Sequence, residues 1–327
     1  MEDFRVFASW SRQPRGAGMV GVALDRGGFR LAHVLRESQR PPRLEQALDR
    51  RVEDPLAIRG VLAATVKELG LAGAACCLVL SPETYSLRQV DPPAVEPREL
   101  REAARWSIKD LVDFSVEDAI VDAFPSPEAR GRSARLNVVA ARRKVLQQQV
   151  ETLERSGLVL VAVDILELAL RNVAALLPSE NRGVALLHPL PPLGVLTISC
   201  SGWLWFSRQL ETDLEALEAA AEDALSDKLE TGGEGERALD ALLLDFQRSF
   251  DYYEHQLGQS APAELVWVPA RVESTNLRRW LAKSLSLPMR ELDLGALLDS
   301  RVELDRGLAG AVVAALGAAL RREAADS

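Results

Sequence analysis

The sequence is poor in the residues that build disulfide frameworks and zinc sites, and this scarcity narrows the class of protein. Among 327 residues there are only three cysteines and three histidines. Cys76, Cys77 and Cys200 are too few for a disulfide framework and lack the spacing of a zinc ligand set, which indicates a reducing compartment. The histidines are also far apart, so no metal site is expected. They are His33, His188 and His255.

An excess of positive charge is also lacking. The chain has 48 acidic against 39 basic side chains and a formal net charge of −9, which argues against a general nucleic-acid binder. Hydrophobic residues at 47% and charged residues at 27% are typical of a globular protein, so long disorder is excluded. At about 150 residues per domain, the length predicts roughly two domains.

Membrane-spanning runs are missing as well. The segment 183–207 has no Asp, Glu, Lys or Arg and is long enough to span a bilayer, but its prolines and glycines favour two strands with a tight connection. The apolar run 307–320 is shorter than a span and favours a buried helix. We therefore expect a soluble, cytoplasmic protein.

The start of the chain carries no signal-peptide pattern, because it lacks an apolar core and a small-residue cleavage site. Residues 1–17 are expected to form a flexible leader. Phe4, Phe7 and Trp10, interleaved with arginines, leave contact with a membrane surface as the alternative.

Hydrophobic periodicity predicts a similar order of elements in the two halves of the chain, a strand meander followed by helix and strand. The first half is predicted to contain strands at 18–24, 29–35, 43–52, 74–80 and 85–90 and a helix at 54–70. In the middle we expect helices at 96–114, 142–157 and 166–177 and strands at 117–124, 135–141 and 158–165. In the second half we expect strands at 183–188, 194–201, 203–210, 263–270 and 289–294 and helices at 212–230, 235–257, 274–285 and 305–323.

Familiar catalytic motifs are absent from the sequence. There is no G-x-S-x-G elbow, no Walker loop and no G-x-G-x-x-G fingerprint. What stands out is the duplicated hairpin, first around the turn Asp25-Arg26-Gly27-Gly28. Actin-like ATPases are built from two such halves, and their hairpin turns need glycine so that the backbone can approach a phosphate.

Four segments carry a resemblance to a known family, and they are 21–34, 100–124, 163–177 and 246–258. Over residues 19 to 320 the chain resembles the actin-like pilus-assembly proteins of the PilM/MshI family, and most of all MshI of mannose-sensitive haemagglutinin (MSHA) pilus biogenesis. The resemblance implies an FtsA/PilM-like α/β fold of two duplicated halves. The implied parts are a first core of residues 18–91 with 160–180, an inserted small α/β subdomain of residues 92–159, and a second half of residues 181–327.

The sequence departs from this family at its nucleotide motifs. Ala23 stands where the first phosphate motif, D-x-G-S-S-x-x-K, has its acidic residue, and His188 stands where the second motif has Asp. Prolines follow His188, and 269–272 replaces the adenosine-side Gly-rich turn. We therefore expect a vestigial pocket, no cofactor and no ATP hydrolysis. Its residues are Ala23, Asp25, Gly27, Gly28, Arg30, Asp164, His188 and Gly194.

The resemblance also implies a partner, the N-terminal tail of a PilN-like bitopic inner-membrane protein. The expected function is a cytoplasmic adaptor of pilus assembly, held at the inner face of the inner membrane by that partner. By analogy the tail lies between the first core and the insertion, on helix 97–113 and strand 117–124. Simple solvated charge is the alternative for the acidic face there. The candidate contacts are Trp106, Lys109, Asp110, Asp113, Glu117 and Asp118.

Two other classes of function stay open. A divergent but working pocket on Asp25, Gly27, Gly28 and Asp164 would make the chain an active actin-like ATPase with ATP and Mg²⁺, or a sugar-kinase relative. A cell-division actin homologue should polymerise and carry a terminal amphipathic membrane helix, for which the C-terminal RREAADS is too short and polar.

Overall fold

The structure is a computed structural model, and it describes residues 17–36, 40–128, 135–190, 192–211, 213–226, 228, 232–270 and 274–321. Residues 1–16 of the predicted leader lie outside this range, as do residues 271 and 272 of the predicted adenosine-side turn. None of the helices in the described ranges combines the length and the apolar character that crossing a bilayer requires.

The elements follow the predicted order closely. The first half contains β1 (Met19–Asp25), β2 (Gly28–Leu35), β3 (Arg43–Arg51), α1 (Ile58–Glu68), β4 (Ala75–Leu80) and β5 (Tyr85–Val90). Next come α2 (Leu100–Ser107), β6 (Ala119–Pro125), β7 (Leu136–Arg142), α3 (Arg143–Ser156), β8 (Val159–Ile165) and α4 (Leu166–Ala174). The second half contains β9 (Val184–Leu190), β10 (Leu193–Cys200), β11 (Trp203–Glu211), α5 (Leu214–Leu225), α6 (Glu234–Asp251), β12 (Glu264–Trp267), α7 (Thr275–Ser284), β13 (Met289–Glu291), β14 (Asp299–Ser300) and α8 (Arg306–Ala319).

Two large sheets share one topology. The first has the order β14-β3-β2-β1-β4-β8 and the second has the order β11-β10-β9-β12-β13. In each, an antiparallel meander of three strands is followed by two strands that run parallel to the first of them. The predicted duplication is therefore present in the backbone. The short strand β14, which the sequence did not predict, adds to the edge of the first sheet beside β3.

The helices α4 and α8 pack against each other and join the two sheets. Although α8 belongs to the second half, it packs on β1 and β2 of the first sheet, while α4 contacts β10 and β11. The approach is very close, because a Cβ atom on Gly21 would lie 1.8 Å from the Ala315 carbonyl oxygen. One on Gly317 would lie 2.1 Å from the Ala169 carbonyl oxygen. Glycine at both positions lets backbones meet without an intervening side chain.

A third, smaller sheet has the order β5-β7-β6. Helix α2 covers one of its faces, with Ala104 and Ile108 packed on Val121 and Val138. Because β5 pairs with β7, this extra unit begins before the prolines that suggested a boundary at 92. Helix α3 instead packs on α1 and β8 beside the first sheet. Strand pairing and helix packing place this unit at residues 85–142, whereas the expected range is 92–159.

Helix α2 is shorter than the predicted helix at 96–114. The Ser107 hydroxyl donates to the Ala103 carbonyl oxygen at 3.0 Å, and the helix ends there. Beyond it, Arg88 Nε of β5 donates to the Leu111 carbonyl oxygen at 2.9 Å. This contact with β5 helps to hold the segment after the helix in turns. The hydrophobic periodicity of the segment alone does not predict these turns.

Candidate functional site

The first hairpin satisfies its own polar groups. Asp25 Oδ1 accepts a hydrogen bond from the Gly27 N–H at 2.7 Å, and its other oxygen pairs with the Arg30 guanidinium. Arg30 Nε also donates to Asp49 Oδ1 at 2.9 Å. Gly28 has a φ of +141°, and a Cβ there would lie 2.0 Å from the Arg50 carbonyl oxygen. The sheet itself therefore requires glycine at this position, independently of any ligand.

Ala23 and Asp164 lie at the same level of the first sheet. Both pair with Val79 of β4, one from β1 and the other from β8. Asp164 is fully buried, its Oδ1 accepts from the Ile165 N–H at 2.9 Å, and its Oδ2 lies 3.2 Å from Arg321 Nη1. This carboxylate is thus committed to an ion pair with the residue that follows the end of α8.

The second hairpin differs from the predicted phosphate turn, because strand β9 continues through His188 to Leu190. Gly194 lies in β10 and pairs with Pro189. His188 is 5% exposed, and its Nδ1 has no hydrogen-bond partner among the described residues. Burial lowers the pKa of His188 to about 3, so its imidazole is neutral at physiological pH.

The eight predicted pocket residues therefore fall into three places. Ala23, Asp25, Gly27, Gly28 and Arg30 share the first hairpin, Asp164 lies on β8, and His188 and Gly194 share the second hairpin. After β12, the Pro269 carbonyl oxygen lies 1.9 Å from where a Cβ atom of Gly310 would be. Helix α8 thus lies directly against the start of the predicted adenosine-side turn.

A narrow groove lies where the small sheet packs against the first sheet. β8 is an edge strand of the first sheet and β6 is an edge strand of the small sheet, so each has one side that no strand covers within its described sheet. The free volume between them is only about 10 Å³. Its lining is apolar apart from two carboxylates, and includes Leu80, Ile120, Asp122, Val139, Val163 and Asp164.

Asp122 is the unusual residue of this groove. It is 5% exposed, and its Oδ1 accepts from the Ala123 N–H and from Arg101 Nε, each at 2.9 Å. Its Oδ2 has no hydrogen-bond partner among the described residues. Burial raises the pKa of this carboxyl. The sequence signal was an acidic residue on the same strand face as the apolar Ile120 and Phe124, and it was not recognised as a site.

A buried hydrogen bond connects the small sheet to the core next to the groove. The Tyr85 hydroxyl, at the start of β5, donates to the Glu167 carboxylate and accepts from the Leu166 N–H at 3.2 Å. Both side chains are buried, and burial raises the pKa of each. This contact fixes the small unit against the first turn of α4.

The predicted partner contacts lie on a different surface. Trp106 is 51% exposed, donates from Nε1 to Glu102 Oε1 at 3.0 Å and lies 5.8 Å from Lys109 Nζ. Asp113 pairs with Arg142 at 3.0 Å. The six residues are on α2 and the turns after it, whose buried side chains pack on the sheet face opposite the groove. They are Trp106, Lys109, Asp110, Asp113, Glu117 and Asp118.

A larger cavity, of about 350 Å³, lies in the second half between the end of β13 and the start of α8. Its central carboxylate, Glu291, accepts two hydrogen bonds from Arg306, both at 3.0 Å. Arg278 lies 2.7 Å from the same carboxylate. Glu291 and Arg306 in this cavity are thus already paired with each other.

The fold resembles that of solved actin-like proteins. The chain aligns with a structure described as a PilM–PilN type IV pilus biogenesis complex at 22% identity and a TM-score of 0.68, covering 93% of this chain and 98% of that one. The chain has an actin-like fold, as predicted. The family models and curated proteins that were searched contain no match.

Two further structures are more distant. One is a Bacteroides thetaiotaomicron protein of unknown function with an actin-like ATPase fold, at 10% identity and a TM-score of 0.49, covering 86% of this chain and 92% of that one. The other is the cytoplasmic domain of EpsL, an inner-membrane component of the Vibrio cholerae type II secretion system. It shows 13% identity and a TM-score of 0.45, covering 82% of this chain and 94% of that one.

Proposed function

We propose that this chain is a PilM-like adaptor of type IV pilus assembly that holds a segment of a PilN-like membrane partner in the groove between β6 and β8. The observation that carries the proposal is that this apolar groove is lined by residues of β6 and β8, each an edge strand of its sheet. An extended peptide can add to such an edge through main-chain hydrogen bonds, with its side chains in the apolar lining. The neighbour whose structure contains PilM and PilN supports the choice of partner.

The partner would be a bitopic inner-membrane protein that offers its cytoplasmic N-terminal tail. The adaptor would then work in the cytoplasm, at the inner face of the membrane. The motifs quoted above favour the MshI branch and an MSHA-type pilus.

The proposed adaptor function includes a vestigial nucleotide pocket. Ala23 offers no carboxylate, and both oxygens of Asp25 are engaged within the hairpin. His188 is neutral, buried and inside a strand. These residues do not fit a Mg²⁺–phosphate site, so we propose that the chain neither hydrolyses ATP nor binds it tightly. Isothermal titration with Mg-ATP tests this, and micromolar binding would refute the vestigial pocket. Turnover of ATP in vitro would establish the rival function of an active ATPase.

Binding of the tail can be measured by fluorescence anisotropy. The probe is a labelled synthetic peptide of the cytoplasmic tail of the PilN-type protein from the same genome. Ile120→Lys places a charge in the apolar groove and should weaken binding at least tenfold. Trp106→Ala, on the opposite face of the small sheet, is the matched variant and should change the Kd less than twofold. The reverse pattern would move the site to α2, and no binding to the folded wild type would refute the adaptor role.

A further inference from the structure

The two carboxylates that line the groove, Asp122 and Asp164, are compensated differently. Both are buried. Asp164 is engaged at 3.2 Å with Arg321, which is itself buried. Arg101, which contacts Asp122 Oδ1, has a side chain that is 60% exposed, so water screens its charge. Asp122 is therefore the less fully compensated of the two carboxylates.

Asp122 also has an open hydrogen-bonding position. A buried carboxylate is expected to use both oxygens, because an unsatisfied polar atom away from water is unfavourable. Within the described residues, Asp122 Oδ2 has no hydrogen-bond donor, and the residue lines the groove. A donor that enters the groove would satisfy this atom, and a positively charged donor would form the stronger, charge-assisted hydrogen bond.

We propose that Asp122 Oδ2 receives the ammonium or guanidinium group of a Lys or Arg side chain of the bound partner segment. This assignment rests on the proposed function, since the groove must be the binding site. It makes Asp122 the residue that selects a basic position within an otherwise apolar tail. The free volume of about 10 Å³ is close to the lower limit for one water molecule. The first sheet and the small sheet must therefore move apart at the groove when the partner segment enters.

The experiment compares Asp122→Asn with Asp91→Asn, which neutralises an exposed acid next to β5, at the other edge of the small sheet from β6. Each folded variant is titrated with the tail peptide of the PilN-type protein at 150 mM salt, where long-range effects are screened. A series of peptides replaces each Lys or Arg in turn by norleucine. We expect one replacement to weaken binding to the wild type at least tenfold, which is about 1.4 kcal/mol. Asp122→Asn should lose the same factor and be insensitive to that replacement.

The control variant and the outcomes that would overturn each proposal can be told apart. Asp91→Asn should bind every peptide as the wild type does. If Asp122→Asn also binds every peptide like the wild type, the assignment to Asp122 is wrong while the adaptor role stands. Equal losses in both variants would indicate general electrostatics and also overturn it. A tail that does not bind the wild type removes both proposals. Thermal melts verify folding, and Asp122→Ala, which also removes the carboxylate, serves if Asp122→Asn does not fold.

Discussion

Asp25 and Asp122 are both aspartates beside an arginine, yet the fold uses their carboxylates differently. At the first hairpin the Asp25 side chain is 35% exposed, and both of its oxygens have partners within the same turn. In the groove Asp122 is 5% exposed, and one oxygen has no partner among the described residues. The hairpin that would bind phosphate in an actin-like ATPase is thus complete by itself. The groove is the place where a polar group still needs a partner.

The ion pairs behind these two sites differ in the same way. Arg30 joins Asp25 in a partly exposed ion pair, whereas Arg321 joins Asp164 in the interior beside the groove. A surface ion pair contributes little to stability, while breaking a buried pair leaves a charge without compensation. Substitutions at the groove should therefore lower the free energy of unfolding far more than substitutions at the hairpin do.

The largest expected effect tests this difference directly. Arg321→Met leaves the Asp164 carboxylate buried without its cation, and should lower the free energy of unfolding by about 3–5 kcal/mol. Arg155→Met, the matched variant, breaks an ion pair with Glu151 in which both side chains are exposed, and should cost about 1 kcal/mol or less. Urea unfolding at pH 7.5 measures both. Equal losses would show that the two ion pairs do not differ as their burial suggests.

The next prediction concerns α8, because this helix leads to Arg321 and also packs on the strand of the first hairpin. Gly21→Ala places a methyl group 1.8 Å from the Ala315 carbonyl oxygen. Either α8 or β1 must move, and we expect a loss of about 3 kcal/mol, at the upper end for overpacking. Gly60→Ala is the control, since a Cβ there meets nothing within 4 Å. That variant, in α1, should gain about 0.5–1 kcal/mol. Similar melting temperatures for the two variants would contradict the close packing.

Much of the fold could be predicted from the sequence, because its signals are local. The turn at Asp25 to Gly28 and the helix stop at Gly157, which has a φ of +94°, both appear where the residues indicate. The strand β14 could not be predicted, because its pairing with β3 joins residues far apart in the chain. The end of α2 also depends on tertiary contacts, such as that of Arg88 with the Leu111 carbonyl oxygen.

The candidate sites were less predictable than the fold for the same reason. The resemblance predicts Asp164 as a nucleotide-pocket residue, but its partner Arg321 lies 157 residues away in the sequence. Asp122 was part of a recognised segment, yet its importance depends on which strand faces it across the groove. Whether a carboxylate is satisfied is decided by long-range contacts, and one sequence does not contain them.

A smaller effect is expected at the second hairpin, where His188 should make the stability depend on pH. The pKa of His188 falls from its ordinary value near 6.5 to about 3 in the folded chain because the ring is buried. At pH 5.5 the unfolded chain therefore binds a proton that the native state does not, so stability decreases on acidification. Between pH 7.5 and pH 5.5 this residue should cost about 1.4 kcal/mol. His188→Leu should remove that part of the pH dependence in urea titrations. An unchanged dependence would place a charged histidine at this hairpin.

The smallest effect is expected at Asp25, and it completes the comparison with Asp122. Asp25→Asn keeps the side-chain oxygen that accepts from the Gly27 N–H and removes only a partly exposed ion pair with Arg30. We expect a loss below about 1 kcal/mol and a Kd for the tail peptide within twofold of the wild type, in contrast to Asp122→Asn. Urea unfolding and anisotropy titration measure the two quantities on one preparation. A large change in tail affinity would mean that the hairpin contributes to the binding surface. The carboxylate with both oxygens engaged would then be as important for the partner as the one with a free oxygen.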